Sequence, residues 1–162
     1  MSSYNKRISF YLILTFSLLF NISAQENDIK LFDEDTTIEK KVSTNDIDIL
    51  NKYVYSNIAS AYKLSSSNQT PISKDTKRLY VDLENLKTIN SEKSNSIEVV
   101  IIKLLNENDL TQSIQLDFTT NFPNLKCVYI SCEVKSSLPE MKKAIQKPKQ
   151  SIKTYLGFNL PE

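Results

Sequence analysis

The 162-residue chain has no histidine, no tryptophan and a single glycine, Gly157. Each absence excludes chemistry. Without imidazole, serine or cysteine catalysis by the usual histidine base is closed off, and so is the commonest transition-metal ligand. One glycine cannot supply a phosphate-cradling loop, a dinucleotide fingerprint or a glycine-flanked nucleophile elbow. A large excess of charge of either sign is lacking too. With 20 basic against 19 acidic side chains, nothing points to nucleic acid or an anionic membrane as partner.

What is present begins with Lys6 and Arg7, an apolar run from Ile8 to Phe20, and Asn21-Ile22-Ser23-Ala24 ahead of a polar, acidic stretch. The run falls short of the roughly 20 apolar residues that cross a bilayer. A basic start, a short apolar core and small or aliphatic residues before a cut have the form of a secretory signal peptide, with cleavage expected after Ala24. No cysteine follows it, so a lipid-modified N-terminus is not indicated. The expectation is an exported chain, periplasmic or secreted, with no membrane span after signal cleavage. Loss of residues 1–24 leaves 18 basic and 19 acidic side chains, and a length that suits one domain. Glu26 to Asp48 holds eight acids and three lysines, whereas Lys126 to Lys153 holds seven lysines and two glutamates. The basic end reads as a solvated face rather than an anionic-ligand surface.

Gln25 to Ser43 reads as an acidic, flexible arm, with Leu31-Phe32 and Ile38 able to pin it. Residues 44–162 form the expected single globular domain. From Thr44 or Asn45, the spacing of Ile47, Leu50, Val54, Ile58, Ala61 and Tyr62 predicts one amphipathic helix to about Leu64. Ser65 to Pro71 is a loop. Arg78 to Leu86 alternates, with Leu79, Val81 and Leu83 against Tyr80, Asp82 and Glu84, as a half-buried strand does. Ser96 to Leu105 is continuously apolar and β-branched, a strand buried on both faces. Asn106 to Asn121 reads as a short helix or irregular crossover with Thr111 a candidate cap. Asn124 to Val134 is the next strand. Ser137 caps a helix Leu138 to Gln146 with Pro139 in its first turn, ended by Pro148. Ser151 to Phe158 reads as a last short helix with Gly157 near its end.

Placed in register, Ile97, Val100, Ile102 and Leu105 lie over Leu125, Val128, Ile130 and Glu133, a displacement of 28 residues, and Leu79 and Val81 precede Val100 and Ile102 by 21. Periods of 20 to 29 are those of leucine-rich repeats. Phe122-Pro-Asn-Leu-Lys-Cys-Val-Tyr-Ile-Ser-Cys resembles the start of such a unit, with Leu125, Val128 and Ile130 in the core places. The resemblance covers two to three degenerate units, roughly Lys77 to Ala144. It departs from the pattern at Leu105 and Glu133, where asparagine or cysteine is usual, although Asn106 and Cys132 stand one place away. It implies an α/β fold, a short parallel sheet of leucine-rich-repeat-like units with an N-terminal helix. A small α+β single domain is the alternative.

Few residues suggest chemistry. Asp33-Glu34-Asp35 lacks the spacing and turn glycine of a calcium loop and reads as a solvated acidic run. Asp82 and Glu84 fall on one strand face, which reads as a polar row and, alternatively, as an acid/base pair. Cys127 and Cys132 sit on opposite faces of one strand, roughly 16 Å apart. They read as two buried thiols; a disulfide would require a turn near Tyr129 to Ser131. Asn68-Gln69-Thr70 matches an N-glycosylation site. Tyr53, Tyr55, Tyr62, Tyr80 and Tyr129 suit either a core rim or a binding surface. No catalytic, cofactor-binding or metal residue is assigned and no cofactor is expected. The reading is an exported, non-enzymatic binding or protein-interaction domain, with another protein as the candidate partner; the alternative is a small exported carboxylate-dependent hydrolase.

Overall fold

Ile97 to Leu105 carries too many consecutive aliphatic side chains to leave either face of a strand in water, and the fold covers both. The computed structural model describes residues 29–32, 43–146 and 152–159. Its strands are β1 (Ile29–Phe32), β2 (Ser60–Lys63), β3 (Arg78–Asp82), β4 (Val99–Leu104), β5 (Cys127–Cys132) and β6 (Lys153–Phe158). They form one six-stranded sheet, β2 to β6 side by side in chain order and β1 added beyond β6. Every neighbouring pair is parallel. Val100 stands between Leu79 and Val128, and Ile102 between Val81 and Ile130. These are the displacements of 21 and 28 read from the sequence. The fold is α/β, with a helix ahead of β2.

Successive strand residues point to opposite faces. One face presents Ala61, Leu79, Val81, Val100, Ile102, Val128, Ile130 and Leu156 to the connections, which supply Ile89, Ile97, Ile114, Leu116, Phe118, Phe122, Met141 and Ile145. Burying each of these larger side chains is worth about 2 kcal/mol. The connections therefore return under the same face and stack on one another. Asn121 Nδ2 donates to the Glu92 carbonyl at 2.8 Å and Asn124 Nδ2 to the Asn95 carbonyl at 2.7 Å. Ile114 and Ile145 form a parallel bridge outside the six strands, with the Ile114 N–H donating to the Ala144 carbonyl at 2.9 Å.

The opposite face is crossed by helix α1 (Thr44–Ile49), prolonged through wider π-helical turns over Leu50–Tyr55. Leu50 and Val54 pack there on Val99, Ile101, Cys127, Tyr129 and Tyr155. The connections contain α2 (Leu83–Leu86), two 3-10 turns (Thr88–Ser91 and Glu107–Thr111) and α3 (Leu138–Ala144). At the start of α3 the Glu140 carboxylate accepts both the N–H and the hydroxyl of Ser137, each at 2.8 Å.

Several expectations are corrected. The helix predicted to Leu64 ends at Tyr55, and Ser60–Lys63 is the edge strand β2. Pairing with β3 outweighs the helical spacing of Ile58, Ala61 and Tyr62 and puts Ala61 and Tyr62 on opposite faces. β3 stops at Asp82, which caps α2, so Leu83 and Glu84 leave the strand. It is covered on both sides rather than half-buried. Asn106, not Thr111, caps the turn after β4. Ser151 to Phe158 holds no helix in its described part, because Thr154, Tyr155 and Leu156 pair along β5 in β6. Within the acidic arm, Ile29–Phe32 lies in the sheet as β1. The signal peptide, the cut after Ala24, residues 33–42 and Pro148 lie outside the described residues.

Gly157 is thus a strand residue, and the reason for it is a close approach rather than a turn. A Cβ there would stand 1.8 Å from the Tyr129 hydroxyl oxygen and 2.7 Å from its ring carbon. Gly157→Ala should lower the unfolding free energy by about 2 kcal/mol in chemical denaturation, the scale of overpacking. Combined with Tyr129→Phe, it should cost measurably less than the two single losses summed.

Candidate functional site: the helix side of the sheet

On the helix side one row runs across the sheet: Tyr62, Tyr80, Ile101, Tyr129 and Tyr155, in register on β2 to β6. At its β6 end the helix is pinned by an acid. Asp46 is wholly buried and aligned at four-residue spacing with Leu50 and Val54, which turns it to the sheet. Its carboxylate accepts the Tyr155 hydroxyl at 2.9 Å and the Ser43 hydroxyl at 2.7 Å, with Lys153 Nζ 3.4 Å away. Burial and then the neighbouring Asp46 push the Tyr155 hydroxyl pKa well above its ordinary value.

At the other end the anchor is a cation. Arg78, buried on β3, donates from Nε to the Tyr53 carbonyl at 2.9 Å and from Nη2 to the Ser56 carbonyl at 2.6 Å. Its remaining arm reaches the Tyr80 hydroxyl at 3.1 Å. A guanidinium suits this place, where carbonyls at a helix C-terminus lack amide partners and the dipole is negative. From β6 to β3 is three strand spacings, about 14 Å. That matches the length of the helix between its two anchors.

Among the described residues three large apolar or aromatic side chains are exposed: Ile47 (42 %), Tyr55 (44 %) and Tyr62 (39 %). All three belong to the helix side. The rings of Tyr62 and Tyr80 stack with centroids 4.8 Å apart and planes within 2°, and Tyr55 meets Tyr129 edge-on at 6.4 Å. The outer edge of β2 is closed by the following loop: the Tyr62 N–H donates to Thr70 Oγ1 at 2.7 Å and the Thr70 N–H to the Tyr62 carbonyl at 2.9 Å. Asn68 is exposed in that loop.

The residues singled out by sequence do not converge. Asp82 and Glu84 share no strand face. Asp82 Oδ1 accepts from the Asn85 N–H at 3.0 Å and its side-chain amide at 2.9 Å, while Oδ2 accepts the Ser65 N–H; Glu84 is exposed. Cys127 and Cys132 are free and buried in different clusters, one on each side of the sheet. Burial pushes the Cys127 thiol up to about 12. Asp33-Glu34-Asp35 lies outside the described residues, among which no His, Cys, Asp and Glu group is placed to hold a metal. No helix there is long and apolar enough to cross a membrane. An open cleft of about 610 Å³ lies between Leu110–Ser113 and Lys135, Glu140 and Lys143, and its walls bring no reactive pair together.

Sequence reasoning missed Asp46 and Arg78. An acid in line with the stripe Leu50 and Val54 was a readable sign for the first. Nothing local marked Arg78, whose partners lie 22 and 25 residues away. No protein-family model matches the chain, and neither curated proteins nor solved structures provide a match.

Asp82 and Cys127 each have a measurable signature. Burial raises the Asp82 carboxyl, but the Ser65 and Asn85 hydrogen bonds outweigh it and hold it below its ordinary 3.8. A lowered carboxyl stabilises the fold above its ordinary value and loses that contribution as the pH falls through the folded-state value. Asp82→Ala should cost about 2 kcal/mol at pH 7 and clearly less below about pH 3, read from denaturant titrations at both pH values. Cys127 should resist iodoacetamide at pH 8 in the native protein and react fully in guanidinium, by peptide mass spectrometry.

Proposed function

We propose that this chain is an exported, non-enzymatic binding or protein-interaction domain whose ligand docks on the helix side of the sheet, at Tyr62 and Tyr80. The stacked pair carries the reading. Tyrosines offer large contact area at small entropic cost and are enriched where proteins meet, and this pair lies at the sheet's edge, partly open to solvent. The opposite face is filled by the protein's own connections.

We also read the chain as a degenerate leucine-rich-repeat-like domain. Its support is the strand order, the offsets of 21 and 28, and polar residues holding backbone just past the strands. Past β4, for example, the Asp109 carboxylate accepts the Leu105 and Asn106 N–H groups at 2.7 and 3.1 Å. Stacked repeats of that kind present extended surfaces for binding. A carboxylate hydrolase is disfavoured because Asp82 is committed to three donors.

The test is capture on immobilised protein from the exported fraction of the source cells. The native protein should retain a specific ligand that Tyr62→Ala combined with Tyr80→Ala loses at least tenfold, with unchanged circular dichroism. Equal retention by the variant, or no ligand retained by either, overturns the proposal.

A further inference from the structure

The helix has an outer side as well as the side it lays on the sheet. Asp46, Leu50 and Val54 face inward, whereas Ile47, Asp48, Asn51, Lys52 and Tyr55 are exposed. Ile47 and Tyr55, 42 % and 44 % exposed, stand eight residues apart along the helix. Between them lie one acid and one base. The described ion pairs, Lys63–Glu92, Lys77–Glu98, Lys103–Glu133 and Lys153–Asp46, use neither Asp48 nor Lys52. The Lys52 ammonium rests 5.0 Å over the Tyr53 ring.

This arrangement has a symmetry. The pairs Ile47/Tyr55 and Asp48/Lys52 are centred on residues 51 and 50, so reversing the helix near its middle brings each residue within about one helical position of its opposite member. A surface that meets its own copy about a two-fold axis must be complementary to itself in this sense. We infer that the outer side of helix 44–55 is a self-association surface, with a second copy of the chain laid antiparallel on it. Ile47 then packs on the partner's Tyr55, and Asp48 pairs with the partner's Lys52, each contact occurring twice. A strongly charged partner would find no surplus charge here, since the face is neutral. The whole chain, at a formal +1, does not repel its copy. The surface is small, which sets a reversible dimer rather than an obligate one. It leaves the Tyr62–Tyr80 pair to a different ligand, so the inference does not rest on the proposal above.

Sedimentation velocity of the purified protein over a concentration series tests it. The native protein should pass from monomer to dimer. Asp48→Lys and Lys52→Asp each bring like charges together across the axis and should shift the midpoint at least tenfold to higher concentration. Mixed in equal amounts, the two variants should recover association, because the first presents two bases and the second two acids. A mere folding defect cannot produce that outcome. Tyr55→Ser should weaken the dimer with an unchanged circular dichroism spectrum. A native protein monomeric throughout, a dimer indifferent to both charge variants, or a mixture that stays monomeric overturns the inference. The first of these leaves the face to another protein, and ligand capture through Tyr62 and Tyr80 is unaffected by any of them.

Discussion

A parallel sheet that is apolar on both faces has to be covered twice, and in this protein the second cover is a single helix held by two buried charges. The first cover comes with the chain's course, since each connection between neighbouring strands must return under the sheet to begin the next. The second has to be brought from outside that course. Burial of Leu50 and Val54 drives the helix onto Val99, Ile101 and Cys127, but such contacts are non-directional. Asp46 on Tyr155 and Arg78 on the Tyr53 and Ser56 carbonyls give it a fixed start and a fixed end.

Both charges are costly to bury, and each is tolerated for a physical reason. Taking an ion from water costs several kcal/mol unless hydrogen bonds and opposite charge replace the solvent. Asp46 has two hydroxyls and an ammonium near it. Arg78 spreads its charge over two backbone carbonyls and a phenol, and a helix end supplies negative potential. Removing one partner would strand the other, which makes these contacts more decisive for the helix's position than their net contribution to stability suggests.

The same division separates scaffold from site. The connection side of the sheet is covered by aliphatic packing and stacked backbone contacts. The helix side carries the three exposed large apolar or aromatic side chains of the described residues, Ile47, Tyr55 and Tyr62. Polar groups with the makings of chemistry instead hold backbone: Asp82 caps α2 and fastens the loop at Ser65, and Asp109 fastens the turn after β4. The binding site proposed above relies on shape and aromatic surface instead.

Much of the sheet was legible in the sequence. Val99 to Leu104 and Cys127 to Cys132 are predominantly apolar runs, and their common spacing already carried the register that pairs Val100 with Val128. Opposite faces for Cys127 and Cys132 followed from strand geometry alone. The edges of the sheet were not legible. Ser60–Lys63 and Lys153–Phe158 are strands because a neighbour offers them a row of backbone partners, and local periodicity, which suggested helices, is a weaker influence than that pairing. The candidate site lies there for the same reason. Tyr62 and Tyr80 are 18 residues apart, and only the pairing of β2 with β3 stacks their rings. The sequence by itself determined the apolar strands, their spacing and the absence of histidine and of glycine-rich loops, because these are properties of residue type and interval. Which segment covers the second face, and which tyrosines stay exposed, was decided only when distant backbone and side chains met.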